Sequence, residues 1–318
     1  MDLTEEQLLE AIRRVLSGAG PEVRVGAGDD AAVLAPTAGE LVITADALVE
    51  NVHFRRGPTG ARDLGYKAIV VSLSDIAAMG ASPRSAVCTL TLSRDVEASW
   101  VMELFGGMRE ACDEYALWLV GGDLSRGGEI AISIAVTGEV APGRAVLRTG
   151  ARPGDRLVVT GELGGSAAGL RLTRLRKMPT KEQREAILRH MRPTARVGEG
   201  GVLARYGATA MIDISDGLSL DLSRLLSASG VAARLELGRV PVANLATLED
   251  ALGGGEDYEL LATLPDSGTV GAAAAELKEA FGVSLSEIGV VEDGHGAVSV
   301  GDDGTEHPLE PTGWDHFR

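Results

Sequence analysis

The chain has 318 residues, 45% of them hydrophobic, and a formal charge of −16 at pH 7. That length suggests two domains, and that apolar content supports packed cores rather than disorder. The charge argues against nucleic acid or an anionic membrane as partner, and an anionic substrate would need cations to settle among so many carboxylates.

Aromatic residues make up only 3%, so Ala, Val, Leu and Ile must fill the cores. Cys88 and Cys112 form neither a disulfide framework nor a zinc spacing and read as small core residues. The acidic start Met1-Asp2-Leu3-Thr4-Glu5-Glu6 is not a signal peptide, and no 18-residue apolar run occurs. A cytoplasmic protein is expected.

Thr4-Glu5-Glu6-Gln7 is a capping box, followed by Leu8, Leu9, Ile12, Val15 and Leu16 at helical spacing. Residues 23–25 form a short strand leading into Gly26-Ala27-Gly28-Asp29-Asp30-Ala31-Ala32. This loop fits the dinucleotide fingerprint G-x-G-x-x-A. Asp29 and Asp30 would repel a pyrophosphate, however, and Pro36 and Gly39 leave no room for the long helix required. Strand, acidic loop, strand is the expectation.

Residues 41–43 read as the end of a buried strand that breaks into Thr44 and Asp46, with His53 seven residues further on. Residues 61–79 predict a helix carrying Leu64, Ala68, Val71, Ile76 and Met79, ended by Gly80 and Pro83. Asp75 falls in its last turns, where the helix dipole favours cations. A metal would relieve it there; so would exposure or a salt bridge to Arg84. Residues 85–92 alternate as a strand, and 97–115 form a helix. Residues 118–120 are a short strand ending at Gly121-Gly122-Asp123. The two glycines permit close approach to a ligand, or make a plain turn. Residues 130–136 return as a strand.

A turn-rich stretch at 150–155 places the domain boundary, giving domains 1–148 and 149–318. Residues 156–160 are a strand, and the glycine-rich loop 161–169 runs into a helix whose N-terminus can receive a phosphate. No Walker A pattern occurs in the chain. Helices are expected from Thr180 to His190 and from Arg192 to near Gly207. Residues 209–214 form a strand carrying Asp213, then come Asp216-Gly217 and a helix over 218–226. A strand over 232–237 precedes Gly253-Gly254-Gly255-Glu256-Asp257, a third glycine–acid loop. A strand over 258–263 and a helix over 270–281 follow. Asp293-Gly294 and Asp303-Gly304 are hairpin signals. His190, His295, His307 and His316 read as structural or solvated.

Carboxylates thus recur at strand ends and on a helix: Asp29, Asp30, Asp46, Asp75, Asp123, Asp213 and Asp216. Such scattered acids gather several Mg²⁺ ions around a polyphosphate. Each taken alone fits a turn former or helix cap as well.

In order, the chain carries Gly28-Asp29-Asp30, Thr44-x-Asp46, Val52-His53-Phe54, Ser74-Asp75-Ile76-Ala77-Ala78-Met79-Gly80 and Gly121-Gly122-Asp123. Asp213-Ile214-Ser215-Asp216-Gly217-Leu218, Gly254-Gly255-Glu256-Asp257-Tyr258 and the terminal Trp314-Asp315-His316-Phe317 complete the set. Together they resemble the thiamine-monophosphate kinase family, within the superfamily of aminoimidazole ribonucleotide synthetase. The resemblance covers nearly the whole chain. It implies a two-domain α/β (α+β) fold of the aminoimidazole ribonucleotide synthetase type. The N-terminal domain would bind ATP and Mg²⁺ and dimerise through its sheet. The C-terminal α/β domain would complete the active-site cleft.

The implied reaction is transfer of the γ-phosphoryl of ATP to thiamine monophosphate, the final step of thiamine diphosphate biosynthesis, by a homodimer. Carried over position by position, Asp30, Thr44, Ala45, Asp46, Asp75, Asp123, Asp213 and Asp216 would hold several Mg²⁺ ions. Gly122, Asp123, Arg148 and Ser215 would contact ATP, and His53, Glu256 and Trp314 the thiamine phosphate. The family usually has a second hydroxyl where this chain has Ala45. A carbonyl ligand there loses nothing, whereas a hydroxyl ligand would be missing. A phosphate monoester acceptor is already nucleophilic, so no covalent nucleophile is implied and direct in-line transfer is expected. His53 as a core histidine, Trp314 as a pin for the C-terminus and Arg148 in a salt bridge are the plainer readings. The rivals are a sister synthetase that phosphorylates an amide oxygen and a cation-binding module. The calcium-loop pattern D-x-[DN]-x-[DN]-G with its trailing Glu is lacking.

Overall fold

The computed structural model describes residues 4–16, 20–27, 31–57, 59–175 and 178–314. The chain divides into two units. One comprises the residues up to Ile76 and Ser82–Gly143; the other comprises Ala77–Ala81 and everything from Arg144 onward.

In the first unit, α1 (Glu5–Val15) opens on the expected capping box, with Thr4 and Gln7 satisfying each other's backbone N–H groups. Two short strands, β1 (Val23–Val25) and β2 (Val33–Leu34), pair antiparallel. β3 (Glu40–Val49) follows instead of a helix, which disposes of the dinucleotide fingerprint. Then come α2 (Ala61–Ala78), β4 (Ser82–Leu92), α3 (Ala98–Glu114), β5 (Trp118–Arg126) and β6 (Ala131–Val140). The sheet order is β3-β6-β4-β5, with only β4 and β5 parallel.

α2 is buried nearly all round, as its lack of a polar face predicts. It meets α3 backbone to backbone: a Cβ at Gly107 would lie 1.7 Å from the Arg62 carbonyl, and one at Gly65 1.9 Å from that of Leu104. On its other side, Ser72 donates its hydroxyl to the Ile134 carbonyl of β6 at 3.3 Å. Ile132, Ile134, Val136, Cys88 and Leu90 supply the covered face of the sheet, and Cys88 and Cys112 are both buried, as expected.

Two sequence expectations fail in this sheet. Residues 41–43 are not the end of a buried strand. They begin a ten-residue strand that continues through Thr44 and Asp46, and Leu41 and Ile43 are 59% and 69% exposed. A strand buried on one face reads as alternation, and here the outward positions Leu41, Ile43, Ala45 and Ala47 are apolar too, which hid the period. Nor does β5 stop at Val120, since it runs on through Gly121-Gly122-Asp123. The neighbouring strand by itself requires glycine at 122: a Cβ there would sit 1.8 Å from the Cys88 carbonyl.

In the second unit, β7 (Arg156–Thr160), α4 (Gly165–Leu172), α5 (Lys181–Met191), α6 (Val197–Arg205), β8 (Ala210–Ile214) and α7 (Leu218–Ser229) come first. β9 (Ala232–Glu236), α8 (Leu248–Gly253), β10 (Glu259–Leu264), α9 (Ser267–Phe281), β11 (Leu285–Glu292), β12 (Gly296–Val300) and β13 (Glu306–Pro308) follow. The sheet order is β13-β12-β9-β11-β7-β10-β8. Its central strands are buried on both faces. Leu157, Val159, Ile212, Ile214 and Leu261 pack on the α7 side; Val158, Met211, Leu260 and Ala262 pack on the α6 and α9 side. Asp213 lies opposite Leu260 in β8 and is buried with its neighbours.

Asp293-Gly294 is not a hairpin turn. β11 and β12 flank β9 from opposite sides, and β12 pairs β9 in parallel. Asp303-Gly304 does join the antiparallel pair β12 and β13. α8 takes in Gly253 of the expected glycine–acid loop, leaving 254–258 as the loop. Among the described residues, no helix is long and apolar enough to cross a membrane.

Candidate active site

On the covered face of the first unit's sheet, β3 brings Thr44 and Asp46 toward α2. Thr44 donates its hydroxyl to Asp75 Oδ2 at 2.5 Å. Asp46 Oδ2 is buried without a hydrogen-bond partner. Burial, and next the charge of Asp75, push the Asp46 carboxyl up to about 6, against a small opposing pull from Ser72. Arg84 pairs instead with Glu139 at 3.3 Å. One hydroxyl and two crowded carboxylates, one oxygen of them orphaned, form a hard oxygen donor set that fits Mg²⁺.

Residue 45 faces the other way. Ala45 lies opposite Ala135, and Ala135 opposite Val87, on the bare face of the sheet. A hydroxyl at this position would point away from Thr44, Asp46 and Asp75, so that cluster loses none by having Ala. Asp123 shares this outer face, in a row with Thr89, Ser133 and Ala47. Asp46 sits in the adjacent row with Ile134, Cys88 and Gly122, on the covered face. The sheet thus brings Asp46 and Asp75 together and holds Asp123 apart from them.

His53 lies in the turn after β3, partly exposed, with its Nδ1 accepting the Val49 N–H at 3.0 Å. Glu50 holds this turn. It is buried, pairs with Arg56 at 2.6 Å and accepts the Ile130 N–H at 3.2 Å. Asp30 and its neighbour Asp29, like Asp315, His316 and Phe317, lie outside the described residues.

In the second unit the candidates gather at the end of β8. Asp213 is buried, 4% exposed, and Ser215 and Asp216 form the loop into α7. That helix has Gly217 at its N-cap and so no capping side chain of its own. Asp221, fully buried, does the work: its Oδ2 accepts the N–H groups of Ser215, Asp216 and Gly217 at 3.1, 3.0 and 3.2 Å. Arg224 bridges Asp221 and Asp216 at 2.6 Å each. Burial raises the Asp221 carboxyl above its ordinary value, against those N–H groups and Arg224.

Trp314 is placed beside this loop by its backbone, which donates to the Asp216 carbonyl at 3.1 Å. Thr312 is held by Ser219, whose hydroxyl accepts the Thr312 N–H at 3.0 Å. The indole itself is 50% exposed, so it does not pin the C-terminus by entering the core. Arg148 is exposed and its carbonyl accepts the Ser229 hydroxyl at 3.0 Å.

Glu256 stands in the loop after α8, and its N–H donates to the Ser215 carbonyl at 2.7 Å. It shares a cleft of about 390 Å³ with Ser166, Arg192, Arg196 and Asp257, all in this unit. The glycine loop before α4 does not offer an open helix N-terminus to phosphate. Asp257 already occupies it, accepting the Gly164 and Ser166 N–H groups at 2.6 and 3.1 Å. Burial drives the Asp257 carboxyl up to about 7 despite these bonds.

Asp221 and Asp257 hold the backbone of these loops, a role that sequence reading gave to neither. The signal for Asp221 was a helix start with Gly at the cap and an acid one turn in; Asp257 had none, because its helix lies 91 residues away. Among the described residues, no group of three or more His, Cys, Asp or Glu stands ready to hold a metal alone.

Family models for the AIR synthase related protein match this chain, the N-terminal domain over residues 28–140 and the C-terminal domain over 152–301. A thiamine-monophosphate kinase of Aquifex aeolicus (strain VF5) is 37% identical over 329 residues, covering 99% of both chains. The chain belongs to the thiamine-monophosphate kinase family. It is accordingly a kinase, with the two-domain AIR synthase-like fold. The crystal structure of thiamine-monophosphate kinase from Stenotrophomonas maltophilia K279a superposes with a TM-score of 0.84 at 35% identity, covering 96% of this chain and 98% of that one. A structure of AaThiL complexed with AMPPCP and TMP gives 0.78 at 36% identity, covering 100% and 99%.

Proposed function

We propose that this chain transfers the γ-phosphoryl group of ATP directly, in line, to thiamine monophosphate, with several Mg²⁺ ions, as a cytoplasmic homodimer. The observation that carries the metal-dependent part is the orphaned Asp46 Oδ2 beside Asp75. Such an oxygen is costly in an acidic protein unless a cation meets it. Membership of the family carries the choice of donor and acceptor, and one relative has been solved with AMPPCP and TMP.

Thr44, Asp46 and Asp75 would hold Mg²⁺ in the first unit, and Asp213 and Asp216 in the second. Asp30 and Asp123 complete the proposed ligand set, with Ala45 contributing only its backbone carbonyl. Mg²⁺ held by these residues would supply positive charge to offset that of the transferring phosphoryl group. Gly122, Asp123, Arg148 and Ser215 orient ATP. His53, Glu256 and Trp314 receive the acceptor, whose phosphate needs no general base. Asp221 keeps the Ser215–Gly217 backbone in one conformation, so this part of the site is formed before substrate arrives.

The test is product analysis with ATP, Mg²⁺ and thiamine monophosphate, with thiamine as control acceptor. Thiamine diphosphate from the monophosphate alone, with inversion at phosphorus, is expected. Metal-dependent ATP binding without that product would sink the acceptor assignment and favour a sister synthetase.

The homodimer rests on the bare sheet face, where Leu41, Ile43, Ala45, Ala47 and Val87 form an exposed apolar stripe. An exposed apolar face of this kind is usually covered by a partner. Ile43→Asp is expected to convert a dimer to monomers in analytical ultracentrifugation; an unchanged sedimentation coefficient would refute this interface.

A further inference from the structure

His190 carries no assigned role, yet it is buried at the end of α5, 7% exposed, against the first turn of α4. Its Nδ1 lies 3.0 Å from Ser166 Oγ and 3.2 Å from Glu256 Oε2. A lone pair on Nδ1 would face the carboxylate and be repelled. The carboxylate therefore favours the form protonated at Nδ1, whose proton faces both Ser166 Oγ and Glu256 Oε2.

The Glu256 backbone is unusual as well. Its φ is +67°, and that of Tyr258 is +53°, both in the left-handed region that side-chain-bearing residues rarely enter. Three contacts hold this conformation. Glu256 N–H donates to the Ser215 carbonyl at 2.7 Å, Tyr258 N–H donates to the Ile214 carbonyl at 2.9 Å, and Asp257 caps α4. The backbone is thereby fixed to β8 and α4. His190 reaches the Glu256 carboxylate from a third element. α4 and α5 are themselves locked at close range, since a Cβ at Gly169 would lie 2.1 Å from the Ala186 carbonyl.

We infer that His190 is a positioning residue for the acceptor, fixing the rotation of the Glu256 carboxylate against the organic half of thiamine monophosphate. The inference rests on Glu256 contacting the acceptor. A carboxylate complements the thiazolium cation and the amino group of the pyrimidine, and it would repel the phosphate end. His190 therefore acts on acceptor binding and leaves ATP untouched.

Two substitutions of similar size and polarity separate this from a merely structural role. In His190→Asn the amide nitrogen takes the place of Nδ1; in His190→Gln it takes that of Nε2. His190→Gln should raise KM for thiamine monophosphate about tenfold, the loss of one charge-assisted hydrogen bond, and His190→Asn less than about threefold. KM for ATP and kcat should stay within about twofold in both, because neither makes the lost contact. In the pair His190→Gln with Glu256→Gln, the two effects should not add. Equal effects of Asn and Gln, a matching rise in KM for ATP, or failure of both variants to fold would make His190 structural and overturn the inference. If Glu256→Gln alone leaves the acceptor KM unchanged, the Glu256 assignment fails and the inference goes with it. If Glu256→Gln raises it and His190→Gln does not, only the inference fails.

Discussion

Asp46→Asn is expected to remove phosphoryl transfer while making the metal-free protein more stable above pH 6. The two effects have one cause. Asp46 Oδ2 is buried without a partner, beside the like charge of Asp75, and the carboxyl is pushed from 3.8 to about 6. Below pH 3.8 the group is protonated in both the folded and the unfolded chain, and it costs nothing. Between pH 3.8 and about 6 the unfolded chain releases a proton that the folded chain retains. Ionisation therefore favours unfolding across that window, and above it the metal-free fold is weaker by about 3 kcal/mol. Asn abolishes the penalty and also the charge that would hold a metal. Activity should fall by about 10³-fold or more, the scale of losing a main electrostatic contact to the transferring group. Thermal melts of metal-free protein from pH 4 to 8, beside a kinase assay, check both halves. A variant that melts lower than the parent at pH 7, or that keeps its activity, would show that Asp46 is structural.

The same residue shows what a sequence can carry. Motif order was enough to identify the family, because each motif is a short local string. The outline of the elements was legible where a local rule governs: the Thr4 capping box, the α2 and α3 periods, the isolated β7 strand. The failures are all cases in which a distant strand decides. β3 looked like a buried strand end because Leu41, Val42 and Ile43 are apolar on both faces, and only pairing with β6 reveals that one face is bare. β5 looked as though it ended at glycine because the glycine answers Cys88 on β4, over thirty residues earlier. Asp293-Gly294 looked like a hairpin because nothing local announces that β9 inserts between β11 and β12.

The candidate site follows the same division. Sequence named Thr44, Asp46, Asp75, Asp213, Asp216 and Glu256, the residues that would touch ligands. It missed the acids and the histidine that hold them, since their partners are backbone N–H groups or side chains on other elements. It also could not show that alternate residues of one strand face opposite ways, which sets Ala45 and Asp123 on one side of the sheet and Asp46 on the other.

Asp221 is the severest test of that supporting layer. Its carboxylate is fully buried and receives three successive backbone N–H groups, those of residues 215–217, together with Arg224. Gly217, with φ at +124°, supplies the turn but no cap, so nothing else on α7's first turn can take these donors' place. Asp221→Ala strands them in a space too confined for easy resolvation, at a cost of about 3–5 kcal/mol in unfolding free energy. It also leaves Arg224 to Asp216 alone, strengthening an ion pair that competes with a metal for that carboxylate. Asp221→Asn retains one acceptor oxygen for the three N–H groups but loses the charge and sets an amide against Arg224. A smaller loss of stability should therefore accompany a large loss of ATP affinity. Urea unfolding and ATP binding in the presence of Mg²⁺ separate the two terms. If Asp221→Ala unfolds at the parent's urea midpoint, the three N–H groups have found other partners. If Asp221→Asn binds ATP as the parent does, the loop's conformation is set by Gly217 and the strand end, and the buried carboxylate contributes stability without shaping the site.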